Sequence, residues 1–194
     1  MRTPIIAAAL TLVAGAASAA CEADKPGAEL SHAEADEVYA CLAEEMASGY
    51  RDGPKRWIPE AYVEDYRDWR AASSAPAAPG FHGGRFLMTW VNPVGYDAYV
   101  EFREADARMP AGTVIAKESF TVGEDGAAAP GPLFVMEKAA EGASPESGDW
   151  HYMMVSASGA PQAVDVMTAC HECHAAFEAS DHLGYPVEEV RVAR

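Results

Sequence analysis

Basic residues are scarce in this chain. Lysine and arginine number 14 against 30 aspartates and glutamates, a net charge of −16 over 194 residues. A nucleic-acid backbone is bound by a basic face, and anionic lipid by basic clusters, so the balance argues against both partners. Long apolar runs are missing too. Nothing approaches the about 20 consecutive apolar residues that a membrane-spanning helix needs. No internal repeat is visible. What is present suits one domain with at most a small appendage. An apolar content of 49% argues against wholesale disorder.

The N-terminus, MRTPIIAAALTLVAGAASAA, has a processing pattern. Arg2 is a positive start, Ile5 to Ala14 a short apolar stretch, and Ala17-Ser18-Ala19 a small-x-small site. We read residues 1–19 as a Sec-type signal peptide cleaved after Ala19, which places the mature chain in the periplasm. No twin-arginine pair precedes the apolar stretch. Lipoprotein processing at Cys21 is the competing reading, but Ser18 stands where leucine is wanted. An exported chain meets oxidising conditions, and its four cysteines fall into two unlike pairs.

The first pair is Cys21 and Cys41. Ser31-His32-Ala33-Glu34 is a capping box, followed by Val38, Leu42 and Met46 at helical spacing, so a helix is expected from Ser31 to Ala47. Cys41 lies on it, and Cys21 can fold back to it. The pair can be a redox couple or a staple; it reads as a disulfide staple worth about 3 kcal/mol by loop entropy. Trp57 to Ala72 is expected as a second helix with Tyr62, Tyr66 and Trp69 on one stripe. Residues 71–80, AASSAPAAPG, read as a linker. Residues 20–80 thus form an N-terminal helical segment and linker.

After residue 80 the period changes. Gly84–Asn92, Thr113–Thr121, Pro132–Lys138 and Trp150–Ser156 have strand composition, and their short connections suggest an antiparallel sheet. Helices are expected from Pro93 to Glu104 and from Val164 to Glu178. The fold class is α+β: a mainly antiparallel β-sheet with flanking helices and a C-terminal helix bearing the second cysteine pair.

That pair sits in Cys170-His171-Glu172-Cys173-His174, a C-x-x-C-H element and the attachment signature of c-type haem. One helical turn presents both sulfurs to the two vinyl groups on a porphyrin edge, and the next histidine can reach the iron. A structural zinc site would want a second Cys/His pair at matching spacing. A thioredoxin-like pair would follow a strand in a parallel βαβ unit, and none is visible. One motif implies one covalently attached haem c. A plain electron carrier would add a methionine ligand, with Met136, Met153, Met154 and Met167 as candidates, but the C-terminal motif behind a sheet points away from that class.

Further pieces form a pattern: W-V-N-P-x-x-Y from Trp90 to Tyr96, G-T-V-I-A-K-E from Gly112 to Glu118, L-F-V-M from Leu133 to Met136, and G-D-W-x-Y from Gly148 to Tyr152. They are followed by the haem motif and Asp181. In this order they resemble the cytochrome P-460 family of periplasmic haem proteins, over about Phe81 to Asp181. The resemblance implies a haem domain spanning 81–194 and a homodimer. It also implies a lysine joined covalently to the porphyrin, which matches Lys117. By two-residue alternation Lys117 shares a face with Ile115 and Ser119. His174 as the single protein ligand leaves an open iron for a small nitrogen-oxide substrate or gas ligand.

Family members oxidise hydroxylamine and pass electrons to a soluble redox partner such as a cytochrome c. The related cytochromes c′-beta lack the cross-link and bind nitric oxide under a phenylalanine. Catalytic members place a carboxylate over the iron, in or after the strand reading LFVMEK here, which makes Glu137 and Glu141 the candidates for proton transfer. His82 and Arg85, in FHGGR, can meet a haem propionate or line the pocket.

Overall fold

The computed structural model describes residues 21–54, 58–164 and 167–193. The expected signal peptide and Trp57 lie outside them. Helix α1 runs His32–Arg51. The capping box forms as expected: the Ser31 side chain accepts from Glu34 N, and Glu34 reaches back to Ser31 N. The stripe of Ala35, Val38, Leu42 and Met46 is buried. The helix runs one turn past the expected end because Tyr50 is buried and its hydroxyl donates to Gly131 O at 2.9 Å. Cys21 and Cys41 form a disulfide with Cα atoms 5.9 Å apart, so the segment that precedes α1 is tied to it.

Among the described residues seven strands make one antiparallel sheet. They are β1 Arg70–Ala71, β2 Phe86–Val91, β3 Val114–Val122, β4 Ala128–Pro130, β5 Leu133–Lys138, β6 Trp150–Val155 and β7 Pro161–Val164. The order across the sheet is β1-β2-β3-β5-β6-β7, with β4 also on β3. Alternation sorts the side chains of the central strands onto two faces. Phe86, Val114, Ala116, Phe120, Leu133 and Val135 meet α1 in one apolar cluster. Ile115, Met136, Trp150 and Tyr152 face the other way, into a second cluster with Leu183. The fold is therefore α+β, with helix on one face and the C-terminal segment on the other.

Two expected helices are shorter than their patterns, and the expected linker is packed. The second helix shrinks to α2 Ala61–Glu64 and a 3-10 turn Tyr66–Asp68. Tertiary demands override periodicity there: Arg67 turns inward to Glu118, and Arg70–Ala71 pair with Val91 and Trp90. Tyr66 is buried in the α1-side core, and Tyr62 and Trp69 pack against it. The helix expected from Pro93 reduces to α3 Tyr96–Tyr99, because the Asn92 side chain accepts from Gly95 N and Val114 N and holds a turn. Residues 71–80 are not a free linker. Ala72 and Ser73 are buried and Ala77 pairs with Leu87, since small side chains let the backbone lie close to the sheet.

The C-terminal helix starts later than expected, because Pro161–Val164 joins the sheet as β7. From Met167 the chain winds as a wide π turn to His171, an α turn α4 Glu172–His174, and a 3-10 stretch Ala175–Ser180. Among the described residues no helix is long and apolar enough to cross a membrane.

Candidate functional site

Between the sheet face away from α1 and the C-terminal segment lies a cavity of about 960 Å³, at the top of the about 300–1,000 Å³ usual for cofactor sites. Its floor is a cross-strand row. Thr89 pairs with Lys117, Lys117 with Phe134, and Phe134 with Met154. The α4 region forms another part of the lining, with Cys170, Cys173 and His174. The haem-motif residues and Lys117, far apart in sequence, thus meet in one cavity.

His174 is buried, and its Nδ1 lies 2.8 Å from His182 O. A carbonyl only accepts, so Nδ1 carries the proton and Nε2 keeps its lone pair. Metal-binding histidines are typically oriented this way, the second ring nitrogen donating to a carbonyl. The carbonyl is aimed by Asp181 and His182, both in the left-handed region with φ of 57° and 62°. Asp181 is itself fixed. Its carboxylate accepts from Met109 N at 2.7 Å and from Lys138 Nζ at 2.7 Å, and its carbonyl accepts from Trp150 Nε1 at 2.9 Å.

Lys117 is buried in mid-strand, and its Nζ donates to Gly184 O at 2.7 Å. Burial lowers its pKa to about 8, which brings the neutral, nucleophilic amine within reach of ordinary pH. Burial, followed by the charge of Lys117, lowers His174 to about 4. The same causes, with burial again the larger, lower His82 to about 3. Both imidazoles are therefore neutral at pH 7, the state in which a ring nitrogen can bind metal.

The two carboxylates expected over the iron are not there. Glu137 sits on β5 with the parity of Leu133 and Val135, so it faces the α1 side, where it hydrogen-bonds Tyr62. Glu141 is exposed beyond the end of β5. Neither lines the cavity. Glu104 does, but its side chain is 71% exposed and paired with Arg191 at 2.9 Å. Of the candidate methionines, Met136, Met153 and Met154 all border the cavity, and Met153 also packs in the α1-side core. The side chain of Met167 lies outside the described part.

Sequence reasoning missed Glu118, which neighbours Lys117 but points to the opposite face. It is fully buried. Tyr39 and Tyr66 hydroxyls, Arg67 and Trp90 Nε1 all donate to its carboxylate. His82 and Arg85 were read from the sequence as residues that can meet a propionate or line the pocket, and both line the cavity. The structure brings the His82 ring into the cavity, 4.5 Å from the Phe134 ring and 6.2 Å from the His174 ring.

A large cavity with mostly apolar walls, two cysteines one helical turn apart at its edge and a histidine with an aimed lone pair fit a porphyrin. The fold and the residues that meet in it define a haem protein of the c type. More narrowly, the chain belongs to the cytochrome P460 family: the family described as Cytochrome P460 matches residues 63–183, more than half its length. That match reaches back into the segment read from sequence as linker, consistent with the packing of residues 71–80 on the sheet. No curated protein matches the chain.

Proposed function

We propose that this chain is an exported, periplasmic mono-haem c protein that oxidises a small nitrogen compound, with hydroxylamine as the leading substrate. The convergence of Cys170, Cys173, His174 and Lys117 on one cavity carries this reading. A haem bound there supplies an iron that changes oxidation state by one electron and takes small ligands. In this reading the two cysteines hold the porphyrin through thioethers. His174 binds the iron through Nε2 and is oriented by His182 O. Lys117, which lines the same cavity, is the residue that would supply the third covalent link. Electrons leave to a soluble partner such as a cytochrome c, and the protein works as a homodimer.

One observation favours a second reading. Among the described residues the cavity has no buried carboxylate to accept protons from a substrate. That arrangement suits a gas-binding protein of the cytochrome c′-beta kind, which captures nitric oxide without turnover.

Intact mass and the visible spectrum of the purified protein separate the two. Covalent haem, a red-shifted ferrous Soret band lost in Lys117→Ala, and hydroxylamine-dependent reduction of a cytochrome c support the oxidase. Covalent haem with an ordinary Soret band, nitric oxide binding and no reduction support the gas binder. Protein lacking covalent haem overturns both.

A further inference from the structure

The geometry points to a second axial ligand: we propose that His82 binds the haem iron opposite His174 when no small ligand is present. This inference rests on the haem reading above and goes beyond it, since that reading leaves the distal side of the iron open.

Two imidazoles sharing one metal through bonds of about 2 Å have ring centres roughly 6 Å apart. The rings of His82 and His174 are 6.2 Å apart. They approach from unrelated parts of the chain, the loop before β2 and the turn α4, so sequence proximity does not impose the spacing. Both line the cavity that holds Cys170 and Cys173.

The loop is built to deliver the ring. Residues 81–85 read FHGGR. His82, Gly83 and Gly84 are all left-handed, with φ of 53°, 73° and 72°. Glycine takes that conformation freely, whereas histidine does so at a cost. Strain of this kind gathers at ligand clamps. Arg85 pins the turn, its guanidinium donating to His82 O at 2.8 Å, and Phe134 supports one side of the ring. Within this scaffold His82 Nδ1 is buried without a hydrogen-bond partner. An orphaned buried polar group is destabilising, and a bond from Nδ1 to iron would relieve it.

Because two glycines follow His82 directly, the ligand is displaceable. A small molecule must compete with His82 for the iron, and the loop becomes the gate on substrate or gas entry. Apparent affinity then scales with the fraction of iron that His82 leaves free.

The test uses holoprotein purified with its covalent haem. Ferric wild type is expected to be low-spin by electron paramagnetic resonance, with nitrogen couplings from two histidines after ¹⁵N-histidine labelling. His82→Ala is expected to be high-spin, to return to low-spin on adding imidazole, and to bind carbon monoxide in the ferrous state on the order of tenfold faster. A high-spin wild type overturns the inference. So does a low-spin wild type with one histidine coupling, or one whose spectrum His82→Ala leaves unchanged. The labelling experiment decides the matter even if the variant folds poorly. In all these outcomes the haem is covalently present by mass, so the inference can fail while the haem reading stands.

Discussion

Lys117 and His174 are held by carbonyls two residues apart on one loop. Lys117 Nζ donates to Gly184 O at 2.7 Å, and His174 Nδ1 to His182 O at 2.8 Å. One strand and one helix are thereby set relative to each other by a single backbone turn. Asp181 begins that turn, and its ion pair with Lys138 at the end of β5 is largely buried, the side chains 8% and 14% exposed. The position of both cavity groups therefore depends on a residue that touches neither.

Asp181→Ala is expected to remove the ion pair and release the turn. Breaking a buried pair leaves Lys138 uncompensated and costs about 3 kcal/mol. Thermal unfolding should report the loss, and the holoprotein's visible spectrum should change because His174 loses its fixed orientation. An unchanged spectrum at reduced stability would mean that the turn keeps its shape without the carboxylate.

Glu118→Gln tests the opposite face. The substitution keeps volume and one acceptor oxygen but strands Arg67, whose guanidinium now lies 2.5 Å from the carboxylate. Because Arg67 is partly exposed, we expect a loss of about 2 kcal/mol rather than the full buried-pair value. The haem spectrum should not move, since Glu118 points away from the cavity. A spectral shift would show that the cluster acts on Lys117 through the strand.

These two cases mark what the sequence could reveal. The haem motif was legible because its chemistry depends on a fixed local spacing. The face of Lys117 was legible because strand alternation is local. The roles of Asp181 and Glu118 were not, because each depends on partners 30 or more residues away that no local pattern records. The same reason undid the helix expected from Trp57 to Ala72. Its aromatic spacing was real, but the pull of Glu118 on Arg67 and the pairing of β1 decided the backbone. Glu137 was misplaced on the chemistry of its segment alone. Counting from Leu133 by twos already puts it on the α1 face.

The disulfide offers a test of the N-terminal segment. Cys21→Ala with Cys41→Ala should lower stability by about 3 kcal/mol, by the entropy of a loop closed over 20 residues. Denaturant midpoints with and without reductant should fall together for the variant and separate for the wild type. Haem content should be unaffected, because the staple lies on the α1 side of the sheet.

The buried cationic groups make stability depend on pH in two windows when the protein is produced without haem. Lysine in an unfolded chain titrates near 10.4, whereas burial holds Lys117 at about 8. Between these values the unfolded chain binds a proton that the folded chain does not, so stability rises with pH across the window. Below pH 8 the burden is constant, roughly 3 kcal/mol. Lys117→Met should relieve it and flatten the curve above pH 8. The imidazoles act lower. His174 and His82 are held near 4 and 3 in the folded chain, against about 6.5 unfolded. The unfolded chain again binds more protons, so stability falls as pH drops below about 6.5. His82→Phe should reduce the slope of that fall, because it removes one of the two groups. Denaturant unfolding at pH 4.5, 7 and 9.5 resolves both windows, and a Lys117→Met variant with the wild-type slope above pH 8 would place the charge burden elsewhere.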